Sequence, residues 1–216
     1  MRSILAVLLT VFFVKALVAE GVEQNQDVGA WIAMARIIHN GNQPSGPGVY
    51  LGSGMIITAA HIVNPTAELS VNLGGANIPA KVVKQGVFED VDLSLLSIDQ
   101  DKVPSRVTVS RLPICEAPPW PGDTVIVVDA TSASRSHIAS PSMLNFITRN
   151  KFATLISDVA TTGNSGSGVF DPNHKCLLGI MSRKFTREEG GKKRDIAKYF
   201  VPANEIRAFI AAALKS

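Results

Sequence analysis

Short apolar segments separated by glycine, proline and asparagine recur along most of this chain, and their spacing limits the fold more than any other feature. Segments of this kind are typical of β-strands joined by turns. Beyond the amino-terminal segment, only residues 202–214 show strong helical spacing of their apolar side chains. Many strands with one terminal helix predict an all-β protein of the barrel type. We expect strands at residues 31–38, 54–60, 69–73, 78–83, 93–98, 124–128, 142–147, 153–157, 168–170, 177–182 and 197–201.

A proline-rich stretch divides these strands into two sets of similar size. Residues 104–122 contain five prolines, and proline lacks the N–H group that a strand or helix interior needs. The stretch is therefore expected to be an extended connector. Residues 41–48 are also rich in glycine and proline, and we expect a turn there.

The first residues are typical of a secretory signal peptide. Arg2 is followed by an apolar run from residue 4 to residue 14, and small residues precede Glu20. Lys15 interrupts the apolar stretch, which favours a cleaved leader over a transmembrane anchor. The expected leader is residues 1–19, with cleavage after Ala19. The mature protein is then secreted or periplasmic, with no stable membrane insertion.

The composition and the cysteines limit the expected partners. Arg2 and Lys15 lie in the leader, so 19 of the 21 basic residues remain against 18 acidic ones. This balance predicts no nucleic-acid partner. The spacing of Cys115 and Cys176 fits no metal site, the histidines are scattered, and we expect neither metal nor cofactor. In an exported chain the two cysteines either form a disulfide or remain buried thiols, and the sequence leaves both interpretations open.

Three motifs carry the residues of a nucleophilic site. They are Thr58-Ala59-Ala60-His61, Asp92-Leu93-Ser94-Leu95-Leu96 and Gly163-Asn164-Ser165-Gly166-Ser167. A serine hydroxyl becomes a nucleophile when an imidazole takes its proton and a carboxylate orients that imidazole. Asp90 lies on the same side of a period-two pattern as Asp92, so periodicity alone does not separate the two carboxylates. The order His, Asp, Ser excludes the α/β-hydrolases, which run Ser, acid, His.

These motifs resemble those of the chymotrypsin-like serine endopeptidases, from about residue 31 to residue 214. The serine loop is similar to that of the bacterial branch with the glutamyl endopeptidases and HtrA-like proteases, and no PDZ domain is expected after Ser216. The resemblance implies two six-stranded antiparallel β-barrels with a carboxyl-terminal helix. The amino-terminal barrel is expected at residues 20–108, the connector at 109–122, and the second barrel with the helix at 123–216.

The resemblance also assigns roles to residues. His61, Asp92 and Ser165 are the implied catalytic triad. The aspartate motif of the family matches this sequence with Asp92, and not Asp90, in the position of the acid. The backbone N–H groups of Gly163 and Ser165 are the implied oxyanion hole. Many animal relatives have aspartate immediately before the serine, and its charge pairs with a newly cut amino terminus. Asn164 stands at that place here, which favours a preformed site.

Substrate contacts are expected from Val159, Thr162, Ser182 and Arg183. Val159 stands where trypsin carries aspartate, which disfavours basic substrates. Met181 stands where glutamyl endopeptidases carry histidine, so their acidic specificity is not supported either. The cationic cluster that follows is either a basic rim for acidic substrates or a solvated hairpin loop, and the second interpretation is favoured. The cluster comprises Arg183, Lys184, Arg187, Lys192, Lys193 and Arg194.

The sequence therefore predicts an exported serine endopeptidase that cleaves polypeptides through an acyl-enzyme intermediate. Two alternatives stay open. One is a non-catalytic binding module on the same fold, and the other is an esterase or acyltransferase with the same triad.

Overall fold

The structure is a computed structural model, and it describes residues 33–39, 43–108, 112–157, 163–173 and 175–215. The expected leader, Trp31, Val159 and Thr162 lie outside these residues. Within the described part of the chain, no helix combines the length and apolar character needed to cross a membrane.

The first six strands close into one antiparallel barrel in the order β1-β2-β3-β6-β5-β4. Alternation of buried and half-buried side chains along β4, with Leu69, Val71 and Leu73 inward, shows how the period-two pattern supplies the barrel core. The strands are β1 (Met34–His39), β2 (Gln43–Gly52), β3 (Met55–Thr58), β4 (Leu69–Leu73), β5 (Ala76–Gln85) and β6 (Ser94–Ile98).

The next six strands close into a second antiparallel barrel in the order β10-β11-β12-β9-β8-β7. They are β7 (Thr124–Val128), β8 (Ala133–Ala139), β9 (Leu155–Ile156), β10 (Gly168–Asp171), β11 (Cys176–Glu189) and β12 (Lys192–Pro202). The α-helices in the described part of the chain are α1 (Ser105–Thr108), α2 (Phe146–Lys151) and α3 (Ala203–Ala213). The predicted fold class, two six-stranded antiparallel barrels with a terminal helix, is confirmed.

An apolar cluster joins the two barrels. Leu93 and Leu95 of the first barrel belong to the same buried cluster as Leu155 and Tyr199 of the second. Helix α3 contributes Ile206 and further apolar side chains to this cluster. Burial of a large aliphatic or aromatic side chain contributes about 1.5–3 kcal/mol, so the interface holds the two barrels in a fixed relation.

The predicted turn at residues 41–48 is wrong, because β2 begins at Gln43. Pro44 and Pro47 pair with β1, whereas β3 pairs only from Val49 onward. The prolines therefore lie in a part of the strand that has one hydrogen-bonded neighbour, where a missing N–H is tolerated.

The predicted strand at residues 142–147 is also wrong. The segment contains a single 3-10 turn and the start of α2. Asn145 caps that helix, since its side-chain oxygen accepts a hydrogen bond from the N–H of Thr148 at 2.9 Å. The strand that precedes this segment is β8, Ala133–Ala139. It was not predicted, because much of its sequence is polar.

The cationic cluster lies on strands and not on a loop. Strands β11 and β12 continue past the barrel as a two-stranded ribbon up to Glu189 and Lys192. Gly190 and Gly191 close it with φ values of 59° and 76°, the left-handed conformation that a two-residue hairpin turn requires.

Cys115 and Cys176 form a disulfide, with their Cα atoms 5.1 Å apart. The bond ties the connector to the start of β11, where the backbone N–H of Cys115 also donates to the carbonyl of Leu177 at 2.9 Å. Of the two interpretations that the sequence left open, the structure shows the bridge.

Replacing both cysteines with alanine is expected to lower the free energy of unfolding by about 4 kcal/mol, because the bond closes a loop with a sequence separation of 61. Urea denaturation of the oxidised protein and of the double variant measures the difference. Wild-type protein under reducing conditions serves as the control and should unfold at nearly the same urea concentration as the variant. An unchanged midpoint in the variant would contradict the expected contribution.

Candidate active site

His61 lies on a short 3-10 turn, Ala60–Ile62, directly after β3. The side chain of Gln85 supports this turn, since its amide nitrogen donates to the carbonyl of Ala60 at 2.9 Å. Ser94 holds the other end of that amide by donating to its oxygen at 2.6 Å. Two neighbouring strands of the first barrel therefore fix the backbone that carries the imidazole.

Asp92 is fully buried and accepts hydrogen bonds at both carboxylate oxygens. Its Oδ1 accepts the backbone N–H of His61 at 3.0 Å, and its Oδ2 lies 2.8 Å from Nδ1 of the His61 ring. The hydroxyl of Ser182 donates to the same Oδ2 at 2.6 Å. Asp90, the competing carboxylate, is exposed to solvent.

The surroundings of Asp92 keep its carboxyl ionised. Burial alone raises its pKa, but the hydrogen bonds from His61 and Ser182 outweigh burial and hold the pKa below its usual value. An ionised carboxylate only accepts hydrogen bonds, so Nδ1 of His61 carries a proton, and in a neutral ring the lone pair is then on Nε2. This is the tautomer that a general base needs.

The loop of Ser165 lies against the first barrel through Gly166. The φ of Gly166 is +91°, and a Cβ there would lie 2.1 Å from the carbonyl oxygen of Pro47. Only glycine fits this position. The N–H of Gly166 donates to the carbonyl of Met181 at 2.8 Å, which ties the loop to β11 as well.

Ser182 contacts both the serine and the acid of the predicted triad. Its carbonyl oxygen accepts the hydroxyl of Ser165 at 3.0 Å, while its own hydroxyl donates to Asp92. One residue of β11 thus links the second barrel, which carries the serine, to the first barrel, which carries His61 and Asp92.

Gly163 is closely packed beside the serine. A Cβ at Gly163 would lie 2.4 Å from Oγ of Ser167, so the position excludes side chains. Its carbonyl oxygen accepts a hydrogen bond from the ammonium group of Lys198 at 2.9 Å. The role of the Gly163 and Ser165 N–H groups as an oxyanion hole stays a prediction.

A cavity of about 400 Å³ opens next to Ser165. Of the four predicted substrate-binding residues, Ser182 and Arg183 line it, while Val159 and Thr162 lie outside the described residues. The described residues that line it are Gly163, Asn164, Ser165, Met181, Ser182, Arg183, Lys184, Asp195 and Lys198.

Sequence reasoning missed two residues of the site, Phe88 and Lys198. The ring of Phe88 meets the His61 ring edge to face, with centroids 5.0 Å apart. Arg183 stacks over Phe88 at 4.0 Å and donates to its carbonyl oxygen. Phe88 lies four residues before Asp92 in a loop, and no periodic pattern could have identified it. Lys198 could have been found only from its strand register.

Within the described ranges, no group of three histidine, cysteine, aspartate or glutamate side chains could hold a metal ion. The groups that the described site brings together are a serine hydroxyl, an oriented imidazole and an ionised carboxylate.

Solved structures with the same fold include proteases. The Rv3671c protease in an inactive form is 17% identical, with a TM-score of 0.63 over 87% of this chain and 92% of that one. An inactive serine-to-alanine mutant of Rv3671c from M. tuberculosis H37Rv is 16% identical, with a TM-score of 0.59 over 90% and 93% of the two chains. Kallikrein-related peptidase 10 is 18% identical, with a TM-score of 0.66 over 87% of this chain and 97% of that one.

At these identities the structural likeness establishes the fold alone. No curated protein matches the sequence. The family model of the trypsin-like peptidase domain matches residues 46–180, which is more than half of the chain. The chain therefore belongs to the trypsin-like peptidase domain family.

Proposed function

We propose that this protein is an exported serine endopeptidase that uses His61, Asp92 and Ser165 as a catalytic triad. The observation that carries the proposal is the buried Asp92 carboxylate, which holds Nδ1 of His61 at 2.8 Å and shares Ser182 with the hydroxyl of Ser165. Export is proposed from the signal-like segment at residues 1–19.

The reaction proceeds in two halves. The Ser165 oxygen attacks the carbonyl carbon of the scissile peptide bond while Nε2 of His61 takes the hydroxyl proton. The tetrahedral intermediate collapses, the C–N bond breaks, and His61 gives its proton to the leaving amine. Water then attacks the acyl-enzyme, His61 takes one of its protons, and the Ser165 oxygen leaves and regains a proton from His61.

The N–H groups of Gly163 and Ser165 are proposed to stabilise the negative charge on the carbonyl oxygen in both halves. A donor of this kind contributes about 3 kcal/mol of transition-state stabilisation. The serine loop supports this assignment, since Gly166 is fixed against Pro47 and the carbonyl of Gly163 is held by Lys198.

The Ser165 hydroxyl has to turn before it reacts. In this structure it donates to the carbonyl of Ser182, 3.0 Å away. For attack the same proton must point to Nε2 of His61. Catalytic hydrogen bonds commonly form only when substrate is bound, and a substrate carbonyl placed at the serine would favour the rotated hydroxyl.

A fluorophosphonate probe tests whether Ser165 is an activated nucleophile. We expect the probe to phosphonylate Ser165, located by mass spectrometry of the labelled peptide, because a serine hydroxyl reacts readily at neutral pH when an adjacent base such as an oriented imidazole takes its proton. The matched control is Ser142→Ala, at an exposed serine outside the site, which should label normally.

The same preparation is then assayed on a quenched peptide mixture and on simple esters. Labelling with peptide hydrolysis supports the endopeptidase. Labelling with ester hydrolysis alone would favour an esterase, and absence of both labelling and hydrolysis would favour a non-catalytic binding module.

A further inference from the structure

The His61 ring has a hydrogen bond at one nitrogen and an aromatic contact. Asp92 lies 2.8 Å from its Nδ1, and the ring of Phe88 meets it edge to face with centroids 5.0 Å apart. The His61 side chain is 30% exposed, so burial alone does not fix it. A single hydrogen bond leaves a ring free to swing about that bond, and the contact with Phe88 therefore bears on where Nε2 points.

Phe88 lies in the same loop as Asp92. This loop, residues 86–93, connects β5 to β6, and the N–H of Gly86 closes its base by donating to the carbonyl of Leu93 at 2.8 Å. Phe88 itself is exposed to solvent on part of its ring. The position of the ring therefore depends on the contacts that hold the outer part of the loop.

Two side chains of the second barrel hold this outer part. The guanidinium group of Arg183, in β11, donates to the carbonyl of Phe88. The ammonium group of Lys151, the last residue of α2, donates to the carbonyl of Glu89, the next residue of the loop. The loop that contacts His61 in the first barrel is thus tied to the second barrel, which carries Ser165.

Arg183 also lies between two aromatic rings. Its guanidinium carbon is 4.0 Å from the centroid of the Phe88 ring and 4.7 Å from that of the Phe152 ring. A cation over an aromatic face is attracted by the ring's quadrupole, and a planar guanidinium group stacks on a ring in a way that an ammonium group does not. Arg183 therefore holds the ring of Phe88 as well as its backbone.

Phe152 gives this stack a fixed base. Its ring lies 4.9 Å from that of Tyr199 and 5.3 Å from that of Phe185. Tyr199 is buried in the apolar cluster that joins the barrels, and Phe152 and Phe185 pack against that cluster. Because closely packed interiors transmit displacements, the core fixes Phe152, and Arg183 passes that position on to Phe88.

A second route joins Arg183 to the acid of the triad. Its Nε donates to the hydroxyl oxygen of Ser182 at 3.4 Å, and that hydroxyl donates to Oδ2 of Asp92 at 2.6 Å. The first of these bonds is long and therefore weak, so the aromatic contacts are the main connection. Both routes end at the His61 ring, one through Asp92 and the other through Phe88.

We propose that Arg183 is a positioning residue of the triad. By clamping the Phe88 loop to the second barrel, it holds the His61 ring with Nδ1 on Asp92 and Nε2 toward Ser165. The inference deepens the proposed endopeptidase function and rests on it. Arg183 also lines the cavity beside Ser165, so the competing assignment is a direct contact with substrate, and the experiments separate the two roles.

The first measurement is the rate at which a small alkyl fluorophosphonate, which has no peptide residues, labels Ser165. Labelling depends on His61 as the base, but the probe presents no substrate side chain to the cavity. In Arg183→Met we expect the second-order rate constant to fall by about tenfold, because a small misplacement of a reacting group slows attack. Arg183→Lys should recover only part of the loss, since lysine keeps the charge but not the planar stack.

Phe88→Leu tests the route from Arg183 to His61, because it removes the aromatic ring and keeps an apolar side chain. We expect its labelling rate to fall about as far as that of Arg183→Met. The double variant should lose little more than either single variant, since both changes break the same chain of contacts. Losses that multiply in the double variant would overturn the proposal.

Arg207→Met is the matched control. Arg207 also donates to backbone carbonyls, those of Cys115 and Glu116, so the change removes the same charge and the same kind of bond outside the site. Thermal unfolding of both variants gives the folded fraction, and folded Arg207→Met should label at the wild-type rate. Equal losses in Arg207→Met and Arg183→Met would overturn the proposal. So would an Arg183→Met variant with a raised KM for peptides and a normal labelling rate.

A spectroscopic measurement does not depend on catalysis. The nitrogen-15 shifts of the two His61 ring nitrogens, read through the ring C–H protons, report which nitrogen carries the proton in the neutral ring. Wild type should carry it on Nδ1, and Arg183→Met should move toward a mixture of both tautomers as the ring leaves Asp92. If wild type shows neither labelling nor hydrolysis, the proposed function fails and this measurement still decides the positioning role. Unchanged ring shifts in Arg183→Met would overturn it.

Discussion

Ser165→Ala is expected to reduce peptide hydrolysis by about 10⁴-fold or more while leaving the fold intact. The change removes one oxygen atom and, with it, a single hydrogen bond from a half-buried hydroxyl to the carbonyl of Ser182. Alanine carries no hydroxyl group that could attack the substrate carbonyl. Burst and steady-state assays of the purified variant measure the loss.

Thermal unfolding of the same variant is the necessary companion measurement. A melting temperature within a few degrees of wild type shows that the lost activity comes from the missing hydroxyl. Ser142→Ala, at an exposed serine, controls for a serine substitution outside the site and should keep full activity. Near-normal hydrolysis by purified Ser165→Ala would refute the proposed mechanism.

The other residues of the triad act with the serine as one unit. A double variant, His61→Ala with Ser165→Ala, should therefore lose little more than Ser165→Ala alone, because an imidazole has no proton to accept once the serine is absent. Independent losses that multiplied in the double variant would indicate that His61 contributes by another route.

The barrels could be predicted because each strand has its own local pattern. Segments such as Leu69–Leu73 and Thr124–Val128 combine β-branched or aliphatic residues with flanking turns, and the structure places strands there. Strand β8 has serine, arginine and histidine in its interior. Its pairing with β7 and β9 decides its conformation, and that information is not local.

The sequence predicted which residues of the site would react, but not the packing and contacts that position them. Motif spacing selected His61, Asp92 and Ser165 as candidates, and the structure brings Asp92 to His61 and joins it through Ser182 to Ser165. Periodicity did not separate Asp90 from Asp92, because both lie on one side of the pattern. Their burial separates them, and burial follows from the packing of two barrels.

Contacts that depend on strand register could not be predicted from a single sequence. Lys198 lies 33 positions after Ser165, and it reaches the carbonyl of Gly163 because β12 runs beside β11 in a particular register. Phe88 reaches His61 through the conformation of a loop that Arg183 and Lys151 hold by bonds to backbone carbonyls. Neither contact leaves a spacing signal in the sequence.

Asp92→Asn is expected to lower kcat by about 10⁴-fold, whereas Asp90→Asn should change it little. The backbone N–H of His61 donates to Oδ1 of Asp92 at 3.0 Å, so the oxygen of the new amide would take that place and its NH₂ group would face Nδ1 of His61. An NH₂ group donates, and Nδ1 would then accept and leave the ring proton on Nε2, where the serine proton has to go.

The Asp90→Asn variant is the matched control, since it applies the same chemical change to an exposed carboxylate two residues away. Steady-state kinetics of both variants, together with their thermal unfolding, separates lost orientation of His61 from lost stability. A larger loss in Asp90→Asn would show that the wrong carboxylate is assigned. Equal and small losses in both would show that His61 keeps its productive tautomer without Asp92, and the buried hydrogen bonds of Asp92 would then serve the fold and not the reaction.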